Sequence, residues 1–268
     1  MKDEKYAEYL DDLADKHTER LIIALQSLED RIAAYLIDAP ETAGELFDLE
    51  WAINARSELR SIIREEFLGD VRSLIREYPE VEGELLAMLN QYGSFTKLPA
   101  ETITALQRLS FQGFEAIATT HLDTFAQEIY QYTLTGRSKA DMVKRIRQSI
   151  NGVYAQADQA KIKQLVEVAN FGSEAASKRA IEELHKVYSA DKLGNNMRRY
   201  ATVYAQDSIM QFNAQAVVAH GKQAGIQKWK YYGDVINDSR PFCAEHAGKT
   251  FTTDEIYALW ESDWKGKA

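Results

Sequence analysis

The sequence predicts a mainly α protein, in which long helices form an extended helical body that ends in a small C-terminal α+β module. Two observations predict this class. The 268 residues include only 4 prolines and 14 glycines, and so few helix breakers favour long helices. Apolar residues also recur every three or four positions until Gly225, after which an aromatic, partly alternating stretch begins. We therefore expect helices up to residue 224 and a mixed structure after it.

The first predicted helix runs from about Glu4 to Ile37. Its apolar stripe advances by steps of three and four residues, as in a coiled coil. The stripe consists of Leu10, Ala14, His17, Leu21, Leu25, Leu28, Ile32 and Tyr35. Such a stripe packs either within the subunit or against a neighbouring copy. Packing within the subunit is the commoner outcome and the one that we expect.

Pro40 ends that helix, because the residue before a proline avoids the helical region. A second helix is predicted over residues 41–67, which carry apolar residues at helical spacing. Three breakers are predicted to end the short elements that follow, namely Gly69, Pro79 and Gly93.

Residues 92–99 form the best linker candidate in the chain. Pro99 is expected at the first position of the next helix, where its missing N–H costs nothing. That helix is predicted to extend to Thr135, because its apolar residues keep the helical spacing throughout. Gly136 is expected to terminate it in the left-handed conformation.

Three further helical segments are predicted before residue 224. Ser138 begins a capping box for a short helix, which ends just before the turn signal Asn151-Gly152. A longer helix is predicted over residues 155–188, with an interruption near Gly172. A final long helix is predicted over residues 196–223.

On this basis the chain divides into three regions: an acidic N-terminal helical region, a helical body and a C-terminal α+β module. They cover residues 1–98, 99–224 and 225–268. Within the last region, a strand is predicted over residues 226–232 and an extended piece over residues 249–251. Thr252-Thr253-Asp254-Glu255 is a capping box that opens the last helix.

Charge is distributed unevenly along the chain. The net charge is −9, but residues 1–100 carry 11 Lys and Arg against 22 Asp and Glu, whereas residues 137–222 carry 14 against 8. The basic stretch of residues 137–222 contains Arg137, Lys144 and Arg147. We consider these residues as contacts for DNA phosphates that would not depend on the base sequence. The alternative, a solvated helix face, is the interpretation that we favour, because a net charge of +6 is modest for a nucleic-acid-binding surface.

No run of about 18 apolar residues occurs, so no membrane span or membrane partner is expected. The single cysteine, Cys243, excludes an internal disulfide framework. Synthesis in the cytoplasm is the default expectation for such a chain.

The C-terminal region carries a series of motifs in a fixed order. The long helix before it contains Arg199-Tyr200-Ala201-Thr202-Val203-Tyr204-Ala205-Gln206-Asp207. The motifs that follow are Trp229-Lys230-Tyr231-Tyr232-Gly233-Asp234, Asp238-Ser239-Arg240-Pro241-Phe242-Cys243, His246-Ala247-Gly248-Lys249-Thr250-Phe251 and Thr253-Asp254-Glu255-Ile256. This order resembles that of the phage Mu F-like minor head proteins, a head morphogenesis family of tailed phages. The resemblance covers about residues 99–262, and its motifs lie within residues 197–260.

The resemblance implies a minor capsid protein that assists head assembly, genome packaging or genome delivery. Such a protein would bind the portal protein, the major capsid protein or both, in multiple copies per virion, with packaged DNA as a further partner. It would lie in the phage head near the portal, after a stage in the host cytoplasm. We expect neither an enzyme nor a cofactor, because the sequence offers no recognisable nucleophile signature.

Cys243 and His246 are the candidate metal ligands of the chain, because they lie three residues apart and would share one face of a helical turn. Zinc requires four ligands, or three and a water molecule. No other cysteine exists, and the sequence departs from many family members in having Pro241 directly after Arg240 and a short spacer to the glycine. We therefore favour a buried free cysteine with a hydrogen-bonded histidine over a zinc site.

The remaining candidate residues of the module are structural or bind partners. Asp238 and Arg240 are expected to organise a turn, and Gly248 is assigned to the same structural group. Aromatic residues at this density form a small core, and some must stay exposed in a module of this size. We assign partner binding to three of them, namely Trp229, Trp260 and Trp264.

Three rival functions remain open at this point. The first is a zinc-dependent or thiol enzyme centred on Cys243 and His246, although a nucleophile would also need an orienting group and an oxyanion site. The second is a non-specific DNA-binding protein of the virion interior. The third is a helical scaffold unrelated to phages.

Overall fold

A computed structural model of the chain describes residues 2–42, 46–152, 159–189, 196–231 and 241–261. The described part is mainly helical, as the sequence predicts, with two short two-stranded sheets, of which only the C-terminal one lies where the sequence predicts extended structure. Its helices are α1 Lys2–Ile37, α2 Leu49–Glu66, α3 Leu68–Ile75, α4 Tyr78–Leu89, α5 Ala100–Leu134, α6 Lys139–Asn151, α7 Gln159–Phe171, α8 Glu174–Ser189, α9 Met197–Gln223, α10 Pro241–His246 and α11 Thr253–Glu261. Its strands are β1 Glu41–Thr42, β2 Leu46–Phe47, β3 Lys228–Lys230 and β4 Thr250–Thr252. None of these helices has the length and apolar character that crossing a membrane requires.

The stripe of α1 forms the centre of the helical body. Seven of its eight predicted residues, all except Tyr35, are buried, and from Leu21 to Ile32 the stripe is fully buried. The helix packs against α2, α3, α4, α6 and α9. The prediction of packing within the subunit is therefore confirmed, and burial of this stripe is a main source of hydrophobic stabilisation.

The predicted helix over residues 41–67 is wrong at its start. Glu41 and Phe47 are register partners in a short antiparallel β1–β2 pair, and α2 begins only at Leu49. Asp48 sets that start, because its side chain accepts a hydrogen bond of 2.9 Å from the Trp51 N–H. An aspartate N-cap satisfies one of the N–H groups that a first helical turn leaves without a partner. The sequence interpretation overlooked this cap.

The breakers of residues 69–99 act differently from the prediction. Gly69 and Pro79 lie in the first turns of α3 and α4 instead of ending an element, and proline is tolerated there. Gly93 does follow the end of α4, and residues 93–99 have no regular structure, as expected for a linker. Pro99 precedes α5 as its N-cap instead of occupying its first helical position.

One hydrophobic core runs through the regions 1–98 and 99–224. Phe67 meets Phe114 edge to face at 6.2 Å between ring centroids, and Tyr78 meets Phe212 at 4.5 Å. Gly113 permits the close approach of α5 and α9, because a Cβ at this position would lie 2.0 Å from the Tyr204 ring. The acidic helices and the helical body therefore share their apolar contacts.

The caps predicted in the second half are confirmed. Ser138 accepts a hydrogen bond from the Asp141 N–H at the start of α6. Gly136 and Gly152 both have positive φ, at 65° and 70°, which glycine adopts without strain. The predicted interruption at Gly172 separates α7 from α8, which pack on each other and on Ile22 of α1.

Candidate partner-binding surfaces

The C-terminal module is attached to α9 through Trp229. This residue lies in β3, opposite Phe251 of β4. Its ring rests on Gly221 of α9, where a Cβ would lie 2.0 Å from the nearest ring atom. Its Nε1–H donates a hydrogen bond of 3.0 Å to the Thr253 hydroxyl. Trp229 is half-buried, because its ring packs on Gly221 within the chain. A partner would contact only the exposed part of the ring.

The predicted capping box at the start of α11 is confirmed. The Thr252 N–H donates to the Glu255 carboxylate at 2.7 Å, and the Glu255 N–H donates to the Thr252 hydroxyl at 3.3 Å. The Thr252 hydroxyl also donates to the same carboxylate at 3.0 Å, and the two hydrogen bonds that this carboxylate accepts, first that from the Thr252 N–H, lower the pKa of Glu255. The reciprocal bonds fix the point at which β4 becomes a helix.

Cys243 and His246 lie in α10, as a helical turn would require. The His246 ring stacks on Phe251 at 5.6 Å between ring centroids. Gly248 has a φ of +76°, and its N–H donates to the Tyr231 carbonyl at 2.9 Å, which supports its structural assignment. Among the described residues, no group of three His, Cys, Asp or Glu side chains is placed to hold a metal ion. The Cys243 side chain lies outside the description, so neither the favoured free cysteine nor the alternative zinc site is tested.

Several predicted residues lie outside the described part of the chain. Asp238 and Arg240 fall between residues 231 and 241, and Trp264 follows residue 261. Trp260 belongs to α11, but its side chain is not described. Their assigned roles in the turn and in partner binding stay predictions.

The basic residues proposed to contact DNA differ in their surroundings. The Arg147 Nε lies 3.2 Å from a Glu29 carboxylate oxygen, although it does not point at that oxygen well enough for a hydrogen bond. The guanidinium carbon of Arg137 lies 5.1 Å from the centre of the Tyr132 ring. Lys144 is exposed. Two of the three candidates are therefore engaged by other parts of the chain.

Their basic neighbours are engaged as well. Lys139 donates to the Ile37 carbonyl at 3.0 Å and to the Ala39 carbonyl, beyond the end of α1. Arg145 donates to the Glu128 carboxylate at 2.8 Å. The sequence could not show this, because these partners lie far away along the chain.

Glu29 is a buried carboxylate where α1 meets α6. It is 2% exposed, and the Asn151 amide donates to it at 2.6 Å. Burial raises the pKa of Glu29 to about 7, against the smaller lowering effects of Asn151 and Arg147. The backbone carbonyl of Asn151 accepts a hydrogen bond of 3.4 Å from the Arg198 Nε–H of α9. This polar cluster joins three helices.

A second buried pair holds the linker in place. Glu82 of α4 and His220 of α9 lie 3.3 Å apart, and both side chains are fully buried. The Leu98 N–H donates to Glu82 at 3.0 Å, and Phe95 meets the His220 ring edge to face. Burial lowers the pKa of His220 against the raising effect of Glu82. The linker is therefore fastened to both helices.

An arginine-lined groove was missed at the sequence level. It lies between α2–α3 and α5 and has a volume of about 540 Å³. Its basic residues are Arg60, Arg64 and Arg72. The signal was the four-residue spacing of Arg56, Arg60 and Arg64, which places them on one helix face. The net negative charge of the surrounding region concealed it.

Comparison of the chain with protein-family models, with curated proteins and with solved structures finds no match. Any functional conclusion therefore depends on the residues and the geometry described above.

Proposed function

We propose that this protein is a minor head protein of a tailed phage, a binding component of the virion without catalytic activity. It would contact the portal vertex or the inner face of the capsid through its C-terminal module. The order of the motifs from Arg199 to Ile256 is the observation that carries the proposal. The rival enzyme and scaffold functions have no comparable set of residues in their favour.

The attachment of the module to α9 supports a docking role. Trp229 rests on Gly221, and the Ile226 N–H donates to the Gly221 carbonyl at 2.8 Å. A binding module held at a fixed position loses less conformational freedom when a partner binds, and this favours affinity. The long helices would supply a rigid support for that module.

The proposal is tested by co-expression with the portal protein and the major capsid protein of a tailed phage that encodes this chain. We expect co-purification with at least one of them and a mass that corresponds to several copies. Gly221→Ala should weaken this association, because the added Cβ displaces the Trp229 ring. Gly83→Ala is the matched control, since a Cβ at Gly83 meets no atom within 4 Å.

A stable monomer with no affinity for either protein would contradict the proposal. If Gly221→Ala and the unsubstituted chain associate equally, the capsid assignment still stands. The packing of Trp229 on Gly221 would then have no role in docking. Circular dichroism of both glycine variants shows whether the helical body is retained.

A further inference from the structure

The groove between α2–α3 and α5 combines a basic rim with an apolar floor. The floor consists of side chains that are at most 9% exposed, namely Ile63, Leu68, Ala118 and Leu122. The rim consists of exposed side chains, namely Arg60, Arg64, Arg72, Glu115 and Thr119. The groove has a volume of about 540 Å³ and is open to solvent.

The rim arginines differ from neighbouring arginines in that they form no ion pair within the described part of the chain. Arg31 pairs with Glu66, and Arg56 pairs with Asp123. Among the described residues, Arg60 and Arg64 form no ion pair. The guanidinium carbon of Arg72 lies 5.0 Å from the centre of the Phe111 ring, and Arg72 forms no ion pair with any residue that the structure describes. Three arginine forks are therefore available to carboxylates.

Three arginines of α2 lie on a different face from two of its glutamates. Successive helical residues are rotated by about 100°, so Arg56, Arg60 and Arg64 share one face. Glu58 and Glu65 lie about 100° or more away from that face, on the opposite side of the helix. Arg60 and Arg64 therefore lie together at the groove, whereas Arg56 pairs with Asp123 outside its lining.

The apolar floor discriminates between anionic ligands. Nucleic acid presents phosphates that would contact the arginine rim, and its charge density would be opposed by a chain of net charge −9. A protein segment can place carboxylates on the rim and aliphatic side chains on the floor at the same time. Glu115 also offers one acceptor for a basic residue of such a segment.

We propose that this groove binds an acidic amphipathic helix of a partner protein. The partner inserts apolar side chains at helical spacing onto Ile63, Leu68 and Leu122. Its carboxylates accept hydrogen bonds from Arg60, Arg64 and Arg72. This is the helix-in-groove mode of recognition, and it does not depend on the proposed capsid function or on the C-terminal module.

The proposal is tested with a fluorescent synthetic peptide in which leucine recurs at helical spacing among glutamates. Fluorescence anisotropy with the full chain should show saturable binding that weakens with salt. The double variant Arg60→Gln, Arg64→Gln should bind at least about tenfold more weakly, since charge-assisted hydrogen bonds are lost. The matched control is the double variant Lys178→Gln, Arg179→Gln at two exposed positions of α8. It removes the same charge and should leave binding unchanged.

A steric variant tests the groove independently of charge. Thr119→Trp places a large ring over the floor and should abolish peptide binding. Thr124→Trp is its control, because Thr124 is exposed on the same helix but does not line the groove. Thermal unfolding of every variant identifies any substitution that acts by unfolding the chain, and such a variant is replaced by Arg72→Gln.

Four results would overturn the proposal. They are absence of peptide binding, equal binding by the arginine variant, equal binding of a peptide with lysine in place of glutamate, and tighter binding of duplex DNA that is lost in the same arginine variant. A fifth result, self-association that disappears in the arginine variant, would assign the groove to a second copy of the chain instead.

Discussion

The basic segment of residues 137–147 and the arginine face of α2 contrast in how the fold uses their charges. The first lies in a stretch of net charge +6, yet Arg147 faces Glu29 and Arg145 donates to Glu128. The second lies within residues 1–100, of net charge −11, yet Arg60 and Arg64 form no ion pair among the described residues. Net charge along a sequence therefore does not show which cations can bind a partner. Four predictions test this contrast.

The largest expected effect concerns the pH dependence of Glu29. Its pKa of about 7 in the folded state exceeds the ordinary value of 4.5. Between these values the folded chain holds a proton that the unfolded chain has released, so the free energy of unfolding falls as pH rises. The difference corresponds to about 3 kcal/mol. Urea unfolding should therefore show Glu29→Gln to be more stable than the unsubstituted chain by about 3 kcal/mol at pH 8, and similar to it near pH 5.

The comparison with Glu29→Gln isolates this effect. Burial lowers the pKa of His17, His121 and His220. These groups stabilise the fold as pH rises towards 6.5, which is the opposite direction. An equal difference between Glu29→Gln and the unsubstituted chain at both pH values would contradict the assignment.

The second prediction compares one arginine from each region. Arg147→Met leaves the buried Glu29 carboxylate without its cation, and should lower the free energy of unfolding by about 2 kcal/mol at pH 8. Arg60→Met should change it by at most about 0.5 kcal/mol, as for an exposed site. Chemical unfolding measures both, and equal losses would show that the two regions do not differ.

The third prediction concerns Lys139, which donates to the carbonyls of Ile37, the last residue of α1, and of Ala39. Lys139→Met should lower the free energy of unfolding by about 1 kcal/mol, because charge-assisted hydrogen bonds to these carbonyls are lost. Lys144→Met is the control on the same helix and should have no measurable effect, since Lys144 is exposed. Thermal unfolding of both variants measures these changes. Unchanged stability of Lys139→Met would show that these hydrogen bonds do not stabilise the fold.

The smallest expected effect concerns Arg145 and Glu128. The Arg145 side chain is about half exposed, so solvent screens its attraction to the carboxylate. Arg145→Gln should lower the free energy of unfolding by about 0.5 kcal/mol, and added salt should reduce this difference. A double-mutant cycle with Glu128→Gln measures the pair itself, and a coupling as large as the effect of Arg147→Met would contradict the ranking.

Local signals predicted many of the helix boundaries. The caps at Ser138, Gly152 and Thr252 depend on residues within one turn, so their side-chain chemistry is readable from the sequence. The start of α2 was misjudged because apolar residues at helical spacing continue through a short β pair. Asp48 carried the correct signal, since it is a favoured N-cap residue immediately before Leu49.

The candidate surfaces were less predictable. The order of the C-terminal motifs could be read from the sequence. The packing of Trp229 on Gly221 could not, because it requires α9 and β3 to meet in space. The groove was hidden because its two walls are separated by about 50 residues, and only the packing of α2 on α5 brings Arg64 and Glu115 to one cavity.

The sequence by itself determined the helical class, the buried stripe of α1 and the change of structure after Gly225. These follow from periodicity and capping, which act between residues a few positions apart. Only the tertiary structure decided which charges are engaged and which stay available, and that one core joins residues 1–98 to the helical body. The physical reason is that ion pairing, burial and cavity shape depend on distances between residues far apart in the chain.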